Sequence, residues 1–386
     1  RIILQKNNIS IACNGVMYKL NEPGFIPQIV SEWFAERVEF KNKKFAAKKQ
    51  NNTSEEIMYD IMQYVMKILM NTLYGVLALP SFRYYDRDMA ESITITGQNL
   101  IKQSEKNVNR YLGHDNVVYG DTDSLFVTLD GYREDEDIKQ VCSDLQNYAN
   151  KCLETVCKKM LNVDENKYLS LKQEIIASSL FILSKKHYAL WCIDEEGIKP
   201  KDGYELKVKG IEMVKSSFPK SMQELFSDIL KDILQFKTKD VIDQKIKQFY
   251  AESEKVSVLD MAITTGIKDL EKYQSDLTNY IKGSPAHVKA ALNYNQYLKL
   301  NNLTDTHNLI QSGDKIKYVY LTRNPYDFKT IAFLESEISP EIDKFLNQYV
   351  DRTAIMESVL ENKIKTFYDA LNWSLPNTEP VDESYF

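Results

Sequence analysis

Two aspartates, Asp121 and Asp123, stand two residues apart in the stretch VVYGDTDSLFV (117–127). Apolar Val117, Val118 and Tyr119 run into Gly120, and Leu125, Phe126 and Val127 lead away from Ser124. This is the pattern of a β-hairpin with a tight polar turn. Two carboxylates about 4 Å apart repel by roughly 4 kcal/mol at an effective dielectric near 20. Keeping both ionised calls for a cation, and magnesium takes carboxylate oxygens while sharing itself with substrate phosphates. Two such ions about 3.5–4 Å apart can hold the attacking and leaving oxygens of an in-line phosphoryl displacement. On these residues alone, a polar hairpin tip without chemistry remains open. A calcium loop of the EF-hand kind fits poorly, because the sixth and twelfth positions from Asp121 hold Phe126 and Tyr132 where Gly and Glu are needed.

The elements that would position this turn are mostly helical. Ile29, Val30, Trp33, Phe34 and Val38 recur at helical spacing, which predicts a helix from Pro27 to about Lys49. On it Arg37 and Lys41, four apart, share a face; a solvated basic face is the plain alternative. The polar stretch Asn51–Ser54 offers a start, with Thr53 or Ser54 as cap, to a second helix from about Glu55 to Leu77. Gln63, Lys67, Asn71 and Tyr74 follow on it at spacings of four, four and three, lining one face over about 16 Å. No acidic residue is expected on that stripe, unlike an ordinary amphipathic surface. FRYYDRD (82–88) and a helix from Met89 to Leu112 then lead into the hairpin.

Residues 1–27 read as strands, with Asn14-Gly15 as a hairpin turn and Pro23-Gly24 as a further turn. Beyond the hairpin we expect a helix over 135–160, strands at Tyr168–Ile182, after the Lys-Lys pair of SKKHYALW (184–191), and at KVKGIEM (207–213). Mainly helical chain follows (Met222–Tyr250, Val258–Tyr273, His287–Leu298), then strands at Ile316–Leu321 and Thr330–Phe333 and a last helix over about Pro340–Leu371. No internal repeat or low-complexity tract interrupts the 386 residues.

A hydrophobic share of 43% is that of an ordinary globular protein, and no apolar run approaches membrane-spanning length. Five cysteines without a C-x-x-C pair argue for reduced, intracellular thiols and against zinc, and four scattered histidines make no metal motif. The net charge of −6 argues weakly against nucleic acid, yet charge is segregated: Arg37, Lys41, Lys43, Lys44, Lys48 and Lys49 face only Glu36 and Glu39 locally. The block from Asp130 to Asp137 is acidic instead, and is not expected to turn back into the site. The chain opens at Arg1, so a piece of a longer product is expected.

Taken in order, these motifs resemble those of family B DNA polymerases. K-x-x-x-N-x-x-Y-G (Lys67, Asn71, Tyr74, Gly75) is similar to their motif B, YGDTDS (119–124) to motif C, and KKHY (185–188) to the K-K-x-Y primer-binding motif. KGIE (209–212), followed by Ser216, Ser217 and Pro219, resembles the passage from palm into thumb. FRYYD and the GxMYxxxxxGxxP run (15–27) resemble the branch found in large tailed, myovirus-type bacteriophages. The family's motif A, D-x-x-S-L-Y-P, is absent. In the family that strand and the proofreading exonuclease precede the part matched here, so the chain resembles a C-terminal portion, either of a split polymerase or a fragment.

The resemblance implies an α+β, right-hand fold with helical-hairpin fingers, an antiparallel β palm and a mainly helical thumb. Residues 1–26 would end an N-terminal palm segment, 27–79 form the fingers, 80–215 the palm, and 216–386 the thumb and tail. It implies template-directed DNA synthesis with two Mg2+ ions on Asp123 and Asp121, Glu174 being a third nearby carboxylate or simply a solvated strand residue. Lys67 would also act as general acid to pyrophosphate, although charge stabilisation alone would need the same residue. Arg37, Lys41, Gln63, Lys67 and Asn71 would bind dNTPs, and Tyr74 and Gly75 would pack on the nascent base pair. Lys185, Lys186, Tyr188, Lys209, Gly210, Ser216 and Lys220 would bind primer–template DNA. Implied partners are a chain carrying motif A and the exonuclease, and a sliding clamp reached by the tail NTEPVDESYF (377–386), which is otherwise a disordered end. The implied location is cytoplasmic, that of the host if viral. Two alternatives stand: a non-catalytic DNA-binding polymerase half, against which the retained Asp121, Asp123 and Lys67 speak, and a polymerase that copies or makes RNA.

Overall fold

The computed structural model describes residues 2–129, 135–166, 168–215, 217–275 and 279–376. They form two compact units, 1–173 and 174–386. The architecture is α+β, helices mixed with small antiparallel sheets.

In the first unit a short helix α1 (Ile2–Lys6) precedes the hairpin of β1 (Ile9–Ile11) and β2 (Met17–Lys19). The strand reading of 1–27 thus fails at its start, but the turn at Asn14-Gly15 is as expected, with Gly15 at φ +94°. The hairpin is fastened to the long helix α4 (Arg87–Leu112), where Cys13 N–H donates to Thr96 Oγ1 at 3.1 Å. Between them α2 (Phe25–Lys49) and α3 (Thr53–Leu77) make an antiparallel pair joined by three residues. The α3 cap is Asn52, not Thr53 or Ser54: its side chain accepts the Glu55 N–H at 3.3 Å.

β3 (Val117–Asp121) and β4 (Ser124–Val127) pair antiparallel, with Asp121 opposite Ser124. α5 (Asp135–Val156) continues into a wider π turn, Cys157–Leu161. Leu100, Leu153, Cys157 and Leu161 close a small core between α4, α5 and that turn. The strand expected from Tyr168 begins only at Ile175, because α5 side chains stand where a strand partner would. Asn150 pairs with both backbone groups of Leu171 at 2.8 Å, and Gln146 Oε1 accepts the Gln173 N–H at 2.8 Å.

The second unit opens with an antiparallel sheet of β5 (Ile175–Ser184), β6 (His187–Glu195) and β7 (Glu205–Lys209). β7 stops short of the expected Met213 because Gly210 turns at φ +71°. α6 (Lys220–Leu234) and α7 (Lys239–Glu252) replace one expected long helix, broken where Phe236 takes φ +56°. The helical reading of Val258–Tyr273 is also corrected. Only α8 (Val258–Met261) is helical before the β-branched Ile263, Thr264 and Thr265 extend as β8 (Ile263–Gly266). The chain closes through β9 (Gln274–Ser275), β10 (Asn279–Tyr280), α9 (Ala286–Leu300), β11 (Lys315–Tyr320) and β12 (Thr330–Phe333). β8, β11 and β12 form an antiparallel sheet in the order β12-β11-β8.

The expected last helix is α10 (Pro340–Tyr349), α11 (Arg352–Ile355), a π turn (Met356–Glu361) and α12 (Asn362–Ala370). It breaks at Val350 because Leu321 bridges to it there and Asp351 caps the next turn. Phe226, Tyr294, Phe333, Phe367 and Tyr368 are among the fully buried side chains of one continuous core. None of the five cysteines forms a disulfide, and no helix among the described residues is long and apolar enough to cross a membrane.

Candidate active site and nucleic-acid interface

The carboxylate turn is built from below. At the hairpin's base, Asn109 Oδ1 on α4 accepts the N–H groups of Asn116 and Val117 at 3.0 Å each. Asn116 Nδ2 donates to the Thr128 carbonyl at 2.8 Å, and the Thr128 N–H returns to Asn116 at 2.9 Å. Tyr119 and Phe126 stack edge to face across the strands, centroids 5.3 Å apart. The chain reverses through Thr122 and Asp123, with Thr122 at φ +54°. The Asp123 N–H donates to the Asp121 carbonyl at 2.5 Å, and the Ser124 hydroxyl to the same oxygen at 3.2 Å. Asp121 is half-buried and Asp123 exposed at the tip. Their carboxylates are hard oxygen donors of the kind that bind magnesium with water and phosphate completing the shell, so the donor chemistry fits the ion. Among the described residues no group of three or more His, Cys, Asp or Glu gathers to hold a metal. Glu174 belongs to the second unit and lies just before β5, whereas the Lys185–Lys186 turn follows that strand's far end. Asp130 lies outside the described residues, and Asp135 and Asp137 open α5.

The α2–α3 pair carries the expected cationic residues. Gln63 lies along the seam between the helices, and Lys67, Asn71, Tyr74 and Gly75 are exposed beyond it. Lys67 makes no ion pair among the described residues. The Arg37 Nε is buried without a hydrogen-bond partner there, an orphan donor. Lys41 is half-buried, its ammonium 5.8 Å from the Phe45 ring centre. The residue that sequence reasoning missed is Asp60. One turn before Lys67's neighbours, it pairs with Lys44 at 2.8 Å and accepts from Gln63 at 3.0 Å. The Lys44 hydrogen bond, followed by that of Gln63, holds its carboxyl below the usual range against a partial desolvation cost. The stripe residues themselves include no acid; only the contact between helices brings the Asp60 carboxylate to Gln63 at its start.

In the second unit one sheet end gathers most of the expected DNA-binding residues. Lys185 and Lys186 are the exposed two-residue turn between β5 and β6, with Lys186 at φ +68°. Tyr188 on β6 stands opposite Lys209 on β7. Gly210 follows, and a Cβ there would meet the Lys186 carbonyl oxygen at 2.0 Å. Its contribution is thus close backbone approach. The His187 ring nitrogen lies 2.9 Å from Ser184 Oγ, steadying the turn. Lys220 is exposed at the start of α6, and Ser216 lies outside the described residues, as does the tail 377–386.

A family model described as DNA polymerase family B matches residues 4–374. The chain belongs to DNA polymerase family B. It is 28% identical over 373 residues to the DNA-directed DNA polymerase of Escherichia phage RB69, covering 87% of this chain and 40% of that protein. Against the corresponding polymerase of Enterobacteria phage T4 the identity is 24% over 426 aligned positions, covering 90% and 46%. A DNA polymerase of Pyrococcus glycovorans is 27% identical over 338 residues, covering 88% and 38%. The phage matches agree with the resemblance to the myovirus-type branch. The chain spans less than half the length of these relatives.

Proposed function

We propose that these residues form the C-terminal part of a replicative DNA polymerase that adds dNTPs to a primer 3′-hydroxyl in the cytoplasm. The observation that carries the reading is the Asp121–Asp123 turn, clamped to α4 through Asn109, in a member of this family. In right-hand terms α2 and α3 are the fingers (27–79), residues 1–26 and 80–215 belong to the palm, and 216–386 form the thumb and tail. Asp121 and Asp123 would hold magnesium; two bound ions would neutralise charge on the phosphates and lower the barrier to attack on the α-phosphorus.

The rest is the work of this chain's residues. Arg37, Lys41, Gln63, Lys67 and Asn71 bind the triphosphate, and the orphaned Arg37 Nε gains an acceptor when it does. Lys67 hands a proton to the departing pyrophosphate or stabilises its charge. Among the described residues beyond its own helix turn, nothing lies within 4 Å of where a Gly75 Cβ would stand. Close packing of Tyr74 and Gly75 on the nascent base pair supplies a reason for a glycine there. Lys185, Lys186, Tyr188, Lys209 and Lys220 grip the primer–template, where minor-groove contacts test geometry without reading sequence, and Ser216 joins them. The second carboxylate strand, D-x-x-S-L-Y-P, and the exonuclease come from another chain or segment, and the tail would reach a sliding clamp.

Primer extension in magnesium tests this reading. These 386 residues should extend only when a polypeptide bearing the D-x-x-S-L-Y-P strand is added, and Asp123→Asn should remove that extension. Extension by the chain alone would mean that an acid read here as surface completes the site.

A further inference from the structure

A cavity of about 360 Å³ opens in the second unit between the loop after β7, β8, β11 and the start of α9. Glu212, Lys215, Ser217, Thr264, His287 and Tyr318 line it. Thr264 is fixed there by its N–H, which donates to the Ser217 carbonyl at 3.3 Å. A primary ammonium, an imidazole and several hydroxyls around one space suit a singly charged oxyanion with multiple acceptor oxygens. The one carboxylate present is already answered: Glu212 is paired with Lys363 at 2.7 Å.

We propose that this cavity seats one phosphodiester of the primer–template backbone, and that His287 binds it as the imidazolium, so that the grip on duplex DNA tightens as protons are supplied. The inference rests on the polymerase reading above and adds a proton to its DNA-binding step.

Half-buried His287 is held below the usual imidazole value by burial alone, so the ring is neutral near pH 7 in the empty protein. The other charges around it are accounted for. From the loop after β7 come Glu212 and Lys215; β8 brings no charge. Tyr318 on β11 is pushed up to about 12 by burial and stays a neutral phenol, while Lys317 turns to Glu335 at 2.8 Å. On the turn Leu270–Tyr273 against α9, Lys272 pairs with Asp269 at 3.0 Å and Glu271 accepts from Ser312 at 2.8 Å. Lys289 of α9 lies 5.6 Å from the Tyr280 ring centre. An entering phosphodiester would add an anion to the space that His287 lines. It raises the affinity of His287 for a proton, and by linkage the proton raises the affinity for DNA, at most tenfold per pH unit for one group.

The test is duplex binding by fluorescence anisotropy at fixed ionic strength between about pH 5.5 and pH 7.5, with the wild-type chain, His287→Gln, His287→Lys and, because His187 also borders the DNA-facing turn, His187→Gln. Wild type and His187→Gln should bind at least roughly threefold tighter at the acid end, within the one-proton ceiling. Their salt slopes should be steeper there by about 0.9, one further counterion. His287→Gln should be flat in both, and His287→Lys should bind at the higher pH as wild type does at the lower. Equal pH dependence in wild type and His287→Gln would overturn the proposal and leave the polymerase reading intact. Failure of the wild type to bind duplex at any pH would overturn both. Inorganic phosphate alone should shift the His287 ring resonances less than duplex does; an equal shift would make the cavity a general anion hole and end the backbone assignment.

Discussion

Gly210→Ala is the substitution whose cost the structure defines best. Gly210 has φ +71°, and a Cβ there would lie 2.0 Å from the Lys186 carbonyl oxygen and 3.0 Å from both its carbonyl carbon and the His187 ring. The left-handed backbone alone costs an L-residue about 1–2 kcal/mol. The 2.0 Å approach cannot be relieved by a rotamer change, because the obstacle is backbone, so the Lys185–Lys186 turn must move by more than 1 Å. Overpacking of that kind adds roughly 1–3 kcal/mol, for a total near 2–5 kcal/mol. Gly203→Ala isolates the first part: Gly203 sits at φ +82° with nothing within 4 Å of a Cβ. At about 2–4 °C per kcal/mol for a unit of this size, Gly210→Ala should lower the melting temperature of the second unit about twice as far as Gly203→Ala. It should also weaken duplex binding, whereas Gly203→Ala leaves it unchanged. Equal melting shifts and equal duplex affinity in the two variants would refute the packing argument.

Asp123→Asn should abolish nucleotide addition, with the D-x-x-S-L-Y-P polypeptide present, and leave duplex affinity nearly intact; retained extension in magnesium would remove Asp123 from the site. Lys67→Ala should lower kcat/KM for dNTPs by about 100-fold, the scale of one lost charge-stabilising donor, and an unchanged value would make Lys67 an ordinary solvated residue. Lys186→Ala should instead weaken primer–template binding with little change in the dNTP KM; the opposite pattern would exchange the two sites. Asp60→Asn should cost less than about 1 kcal/mol near pH 7, as exposed ion pairs do. Because the folded carboxyl of Asp60 lies below its ordinary value, that contribution exists above about pH 4 and fades as pH falls through the folded value. Urea midpoints of wild type and variant should therefore converge at low pH, and a constant difference would show that the lost interaction is not ionic.

Where one local rule governed, the fold was legible. The α2–α3 pair follows from apolar spacing on either side of a polar stretch, and the β3–β4 turn from two apolar runs around Gly120 and four polar residues. Reading failed where distant side chains competed. Leu171 and Gln173 are held extended by Asn150 and Gln146, which no strand periodicity reports. The segment 258–273 has apolar spacing that suits a helix, but pairing of Ile263–Gly266 with β11 decides otherwise. In the site, the motif residues were visible because their spacing is local. Asp60 was not, since its partner Lys44 lies on the other helix, nor was the cavity at His287, which four separate segments create.

The two cores differ greatly in size. Among the described residues, buried apolar side chains from β5 to α12 form one continuous mass, whereas the cluster that ties α4 to α5 has four buried members. Hydrophobic stabilisation grows with the apolar area removed from water, so the two units should not melt together. Amides in α6 and α9 should exchange with solvent only through global unfolding of their unit, and those of β3 and β4 through far smaller openings. The carboxylate turn thus resides in the half of the chain with least to lose. An ion that binds it will raise the first of two calorimetric transitions by mass action and leave the second almost where it was.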